Sequence, residues 1–366
     1  MHKMTGVPTE SGLDSNARRG SSGLEGPAGL ALAIVIVLVL TGPIVARAGQ
    51  APAAAEGGEQ DLKRAVVLIK QVTDRPIRTE RSDRFQAAGD ASETFMKITL
   101  GDCEEIARDY LDHFKAKGFD IHSPDRRLTL IVFVDERPFR RFVKGVPASA
   151  LGIYKRTDNW LVVFDFRNVP SLTPAPHPAP PFLRSAPPSL RSRPLEPLRS
   201  GRPGYQANMS TVAHEATHLL AYNTGLLNRK GDVPRAITEG IATYSEARRL
   251  HGPTEPGQIN SARLDDLAHF QRMSDWISVA TLLADEKKAF GPTEDRVLLA
   301  YAESWLLVYY LMTTPARLPQ FRAYLKAIST RDDATHRLLD AESNFGSLEL
   351  LDRDVRQAGI QLQQRR

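Results

Sequence analysis

"VAHEATHLLAYNTG", residues 212–225, places two histidines four positions apart with a glutamate directly after the first. On an α-helix, residues i and i+4 lie on one face, one turn apart, so His214 and His218 can point both imidazoles at one ion. Glu215 sits about 100° round the helix, where it can reach a water on that ion without ligating the ion itself. The local signals are helical. Asn208 or Ser210 can cap the start, Val212, Ala213, Ala216, Leu219 and Leu220 form an apolar stripe, and Gly225 supplies a C-terminal stop. The competing reading is a solvated helix face that happens to carry polar residues.

Two histidines leave such a site incomplete, because a catalytic zinc takes three protein ligands and leaves the fourth position to water. A third histidine in the pattern H-E-x-x-H-x-x-G-x-x-H is excluded, since those positions hold Ala221 and Thr224. A carboxylate from a second helix is the remaining route. Residues 232–250, "DVPRAITEGIATYSEARRL", read as that helix, with Pro234 in the first turn and Gly252 just past the end. Glu239 lies inside it, far enough after His218 for a turn and an antiparallel return; Glu246 and Asp232 are the other acids near enough to serve. Gly240 removes a side chain where two helices, or a helix and an ion, approach closely.

"HEATHLLAYNTGLL" (214–227), "DVPRAITEGIATY" (232–244) and "YAESWLLVYYLM" (301–312) together resemble the gluzincin metallopeptidases, and among them the bacterial peptidase-MA-like domains, many of uncharacterised function. The similarity is strongest over 205–312 and fainter back to residue 95, through "RRLTLIVFVDERPFRRFV" and "LGIYKRTDNWLVVFDF". The resemblance implies a zincin-like α+β fold, in which a mixed α/β N-terminal lobe with an edge-strand cleft precedes a mainly helical C-terminal lobe. It implies Zn2+ as cofactor with His214, His218 and Glu239 as ligands, Glu215 as general base, and a peptide or protein as substrate. Related peptidases stabilise the oxyanion with a Tyr or His from the helical part, which makes Tyr301 the first candidate here and Tyr244 the second. Glu246, seven residues past Glu239 on the same face, can orient a histidine, although a surface charge is the blander reading. Two rivals remain: a non-catalytic scaffold that keeps the fold, and a zinc hydrolase of non-peptide amides such as cell-wall bonds.

Composition narrows the class. The chain of 366 residues is 42% hydrophobic and 25% charged, which is globular and able to bury a core. Much of its net charge of +5 comes from the arginines of 184–202, and no nucleic-acid motif accompanies them, so no nucleic-acid partner is expected. The single cysteine, Cys103, excludes an intrachain disulfide and reads as structural. Residues 28–46 are uncharged and apolar, follow Arg18 and Arg19, and lead into Ala46-Arg47-Ala48, a small-x-small cleavage pattern. The expectation is an exported protein: residues 1–48 form a signal peptide, or, uncut, the 28–46 stretch anchors the chain in a membrane.

Five segments follow. After 1–48 comes a flexible linker, 49–60, and an N-terminal lobe, 61–169, in which "AVVLIKQV" and "FMKITL" read as strands and "CEEIARDYLDHFKAKG" as a helix capped by Asp102. "LTLIVFV" and "NWLVVFDF" read as further buried strands. Residues 170–204 form a Pro-rich insertion without helical or strand period, with eleven prolines between 170 and 203. The catalytic lobe, 205–366, is helical, with 297–312 apolar nearly all round and therefore buried, and further helices over 318–328 and 347–363. The remaining histidines lack ligand spacing and read as structural or solvated.

Overall fold

"LTLIVF" and "WLVVF", short runs apolar at every position but one, form the central parallel pair of a five-stranded sheet, β3 (Leu128–Phe133) beside β5 (Trp160–Phe164). In the computed structural model, which describes residues 51–146, 150–165, 203–246, 256–270 and 276–365, the sheet also holds β1 (Arg78–Arg81), β2 (Phe85–Gly89) and β4 (Gly152–Lys155). The order is β1-β2-β3-β5-β4. The inner pairs are parallel and the two edge strands antiparallel to their neighbours. Parallel strands are buried on both faces, which is why these runs lack polar alternation.

Each face has its own cover. Ile131, Phe133, Trp160, Val162 and Phe164 point to α1 (Ala51–Ile69) and α3 (Glu136–Phe142). Leu130, Val132, Leu161 and Val163 point the other way, onto α2 (Glu93–Ala116) and α4 (Pro203–Ala221). This second layer runs without a break into the helical half, so Phe85 of β2 and Leu362 near the C-terminus belong to one core.

Three expectations about the first lobe are corrected. "AVVLIKQV" is not a strand but the end of α1, which begins at Ala51 and so also replaces most of the linker expected at 49–60. The run looks strand-like because it is β-branched, but Leu62, Ala65 and Ile69 recur at helical spacing and are what the sheet buries. "FMKITL" opens α2 and is likewise helical. Phe95, Met96, Thr99, Leu100 and Cys103 continue the stripe of Ile106, Tyr110 and Phe114, and the cap is Ser92, whose side chain accepts from the Phe95 amide at 3.2 Å, rather than Asp102. The strand that does pair there, β2, reads "FQAAG", too small and polar to declare itself.

The helical half is built on α9 (Glu294–Thr313). It carries the fully buried Trp305 and packs against α5 (Arg235–Glu246), α6 (Ser261–Phe270), α10 (Leu318–Ile328) and α12 (Leu348–Gln364). The short α7 (Val279–Ala284), α8 (Glu286–Ala289) and α11 (Arg337–Phe345) complete it. Gly240 has the role of a close crossing between two helices: a Cβ there would lie 2.5 Å from the Ser304 carbonyl and from Val308 Cγ2. The fold is α+β. Among the described residues no single helix is long and apolar enough to cross a membrane. The apolar run 28–46, its cleavage pattern and nearly all of the 170–204 insertion lie outside the described residues.

Candidate metal centre

α4 lies between the sheet and α5, with Val212, Ala213, Ala216, Leu219 and Leu220 all fully buried as the stripe requires. The helix starts at Pro203, earlier than either proposed cap, and ends at Ala221; Gly225, with φ +86°, turns the chain four residues later. His214 and His218 leave the stripe on the side facing α5, which runs back past them as the spacing to Glu239 suggested. His214 Nε2 lies 3.1 Å from His218 Nε2 and 3.2 Å from Glu239 Oε2, and His218 Nε2 is 3.4 Å from the same oxygen. Among the described residues this is the one group of three whose ligand atoms could share an ion.

The cluster is held from behind. Glu246, one turn and more beyond Glu239, takes a 2.6 Å hydrogen bond with His214 Nδ1. Its two oxygens are also bound by Arg263, at 3.2 and 3.4 Å, and by the Asn260 amide at 3.0 Å. Glu246 is therefore a buried orienting group and not a surface charge. With Nδ1 engaged by the carboxylate, Nε2 is the nitrogen that faces the cluster. Burial alone would drive these groups neutral. The contacts reverse it: hydrogen bonds to Glu239 and Glu246 hold His214 well above its ordinary value, and those from His214 and His218 hold Glu239 well below its own. Burial likewise opposes ionisation of Glu246, but the His214 hydrogen bond and the Arg263 charge bring it down.

Glu215 points elsewhere, toward the sheet edge. Its Oε2 accepts the Tyr154 backbone N–H of β4 at 2.6 Å. The edge strand can come this close because Gly152 has no side chain: a Cβ there would sit 2.7 Å from Thr211 Cγ2 on α4. Tyr301, from α9, brings its ring within 6.2 Å of the His214 ring, and its hydroxyl accepts from Arg235 Nη2 at 3.4 Å. Burial pushes the Tyr301 phenol above its usual range, so it stays a protonated donor. A cleft of about 700 Å3 opens over the cluster, with Val146, Leu151, Val297 and Leu298 as apolar wall and Tyr301 at its side.

Of the residues singled out in the sequence, the structure brings together His214, Glu215, His218, Glu239, Glu246 and Tyr301. Tyr244 is not among them: its hydroxyl meets His113 Nε2 at 2.9 Å on another side of α5. Asp232 is also elsewhere, gripped at both oxygens by Arg337 at 2.6 Å. Arg235, Arg263, Asn260 and Tyr154 were missed. Arg235 carried a signal, standing four residues before Glu239 on one helix face, whereas Tyr154 meets Glu215 only through the tertiary fold.

Residues 208–335, from within α4 to beyond α10, match a family model described as "Protein of unknown function (DUF1570)", and the match contains every member of the cluster. No curated protein and no solved structure matches the chain.

Proposed function

We propose that this protein is a zinc-dependent metallopeptidase of the gluzincin type, with His214, His218 and Glu239 as ligands and Glu215 as general base. The observation that carries the reading is the triangle of two imidazole nitrogens and one carboxylate oxygen with sides of 3.1, 3.2 and 3.4 Å. Ligands bound at about 2.0–2.1 Å around a tetrahedral ion stand roughly 3.3 Å apart, so the donor set fits zinc in spacing as well as in chemistry. Hydrogen bonds from both imidazoles to Glu239 would account for two sides of the triangle, but they would set two N–H donors against each other across the third, at 3.1 Å.

Zinc bound there would polarise the scissile carbonyl and make a water nucleophilic near neutral pH. Glu215 takes the proton of the attacking water and returns it to the leaving amine. The Tyr154 amide orients the Glu215 carboxylate through Oε2 and leaves Oε1 for that proton. Tyr301 donates its hydroxyl proton to the developing oxyanion; Arg235 can only donate, so it occupies the phenol oxygen as acceptor and leaves the O–H free to turn to the cleft. Glu246, backed by Arg263, fixes the His214 ring. The apolar wall of the cleft suits peptide side chains and excludes water from the reacting bond.

The test separates metal from chemistry. Glu215→Gln keeps near-stoichiometric zinc by mass spectrometry while hydrolysis of a peptide library falls by orders of magnitude. Wild-type protein that takes up no zinc would return the molecule to the scaffold reading. Zinc uptake with cleavage confined to cell-wall amides would favour the other hydrolase.

A further inference from the structure

A second chamber, about 370 Å3, adjoins the cluster, has none of the apolar-wall residues in its lining and shares Tyr154, His218, Arg235 and Glu239 with the main cleft. Its charges are three arginines, Arg156, Arg235 and Arg337, against three acids, Asp232, Glu239 and Glu286. They are not equally committed. Arg337 is spent on Asp232 and on Glu286, the latter at 2.8 Å. Glu286 also caps α5 through the Arg235 backbone N–H at 3.1 Å, so the helix start is already satisfied.

Arg156 and Arg235 differ from Arg337. Arg156 donates to backbone carbonyls, of Arg229 at 2.7 Å and of Gly231 at 2.5 Å, and lies over the Tyr222 ring; among the described residues no carboxylate pairs with it. Arg235 rests its guanidinium on the Phe290 ring at 4.1 Å, a contact that uses none of its five N–H donors. Among the described residues the guanidinium makes one hydrogen bond, the 3.4 Å contact to Tyr301, and one ion pair, at 3.6 Å with Glu239 Oε1. If Glu239 serves a divalent ion, its charge is neutralised there, and the balance of three against three becomes an excess of one positive charge. The uncommitted excess sits on Arg156 and Arg235.

Resting on the peptidase reading, we propose that this chamber is a carboxylate subsite, in which Arg235, supported by the field of Arg156, binds a carboxylate of the substrate within a residue or two of the scissile bond. The guanidinium fork matches a carboxylate in two parallel hydrogen bonds, which neither an amide nor a hydroxyl reproduces. The carboxylate comes from one of two sources, the free C-terminus of the substrate or an acidic side chain beside the cleaved bond.

Zinc-loaded Glu215→Gln protein, which holds peptides without turning them over, is titrated by calorimetry with three matched probes. One is an N-acetyl peptide amide carrying glutamine, the second carries glutamate in its place, and the third is the glutamine peptide with a free C-terminus. N-acetylglutamate is a fourth, small probe. A carboxylate probe binds roughly ten- to a hundredfold tighter than the glutamine amide, and the arm that gains identifies the source. Adding Arg235→Gln removes the gain and Arg235→Lys keeps part of it, with zinc content and thermal midpoint unchanged in both. Equal binding of all three peptides overturns the subsite and leaves the peptidase reading standing. A gain that survives Arg235→Gln also overturns it, because the carboxylate then sits on the metal. Arg235-dependent binding of N-acetylglutamate without binding of any peptide upholds the subsite and removes the peptidase; no binding by any probe removes both.

Discussion

α9 has a buried acid chemistry on each side. On one side Tyr301 faces Glu239 and Glu246 among two histidines and two arginines; on the other, two residues on, Glu303 is fully buried with the Ile277 backbone N–H at 3.0 and 3.3 Å from its oxygens. Burial pushes all three carboxyls toward the neutral form. For Glu303 it wins, since one amide hydrogen bond and distant arginines cannot offset it, and the group is held well above its ordinary value. For Glu239 the histidine contacts win and the group is held well below. The difference lies in the partners and not in the depth: a buried acid with one amide is a structural peg, and a buried acid among imidazoles keeps the charge that a cation needs.

The largest effect that can break this contrast is at the charged side. Glu239→Ala removes the oxygen common to two sides of the triangle, so zinc binding and hydrolysis are lost together, whereas Glu215→Gln loses hydrolysis alone. Full zinc retention in Glu239→Ala would make another acid the ligand, with Glu246 the nearest to His214. Tyr301→Phe comes next, because it keeps the ring against His214 and removes only the hydroxyl. A fall of about a hundred- to a thousandfold in kcat with zinc content unchanged is expected for loss of an oxyanion donor. An unchanged kcat would leave Tyr301 as wall only.

Glu246→Gln keeps the shape behind His214 and removes the charge. Zinc affinity, measured by competition with a chelator, is expected to drop about ten- to a hundredfold, and kcat of the fully loaded protein much less. Wild-type affinity in this variant would reduce Glu246 to a partner for Arg263.

The site was legible in the sequence to the extent that its parts are local. His214, Glu215 and His218 follow from helical period, and Glu239 from an antiparallel return of the right length with Gly240 beside it. α9, α10 and α12 were legible as apolar or amphipathic helical patterns. What failed was short-range shape without a period long enough to decide. "AVVLIKQV" and "FMKITL" show β-branched and aromatic residues over fewer than nine positions, and the helices they belong to are visible only with the residues before and after. β2 was invisible because its burial is imposed by α1, α2 and β3 and not by its own side chains. Glu246 was readable as either second support or surface charge, and only Arg263 and Asn260, which arrive from another helix and its cap, decide it.

The smallest expected effect belongs to the neutral side. Glutamine is nearly isosteric with a protonated glutamate and offers the same acceptor to the Ile277 amide, so Glu303→Gln is expected to change stability by no more than about 1 kcal/mol near pH 4. The sign then separates the two proteins as pH rises. A carboxyl whose folded value is raised binds more protons in the folded than in the unfolded state above the ordinary glutamate value of about 4.3. Its contribution to stability therefore falls with increasing pH, by up to about 1.4 kcal/mol per unit, until the folded value is passed. Glutamine does not titrate, so the variant lacks this slope and becomes the more stable protein at neutral pH. Urea unfolding of both proteins at a series of pH values, with zinc content matched, measures the difference. Parallel curves would mean that Glu303 is ionised in the fold, with Arg296 and Arg356 as its counter-charges, and that the two sides of α9 do not differ in kind.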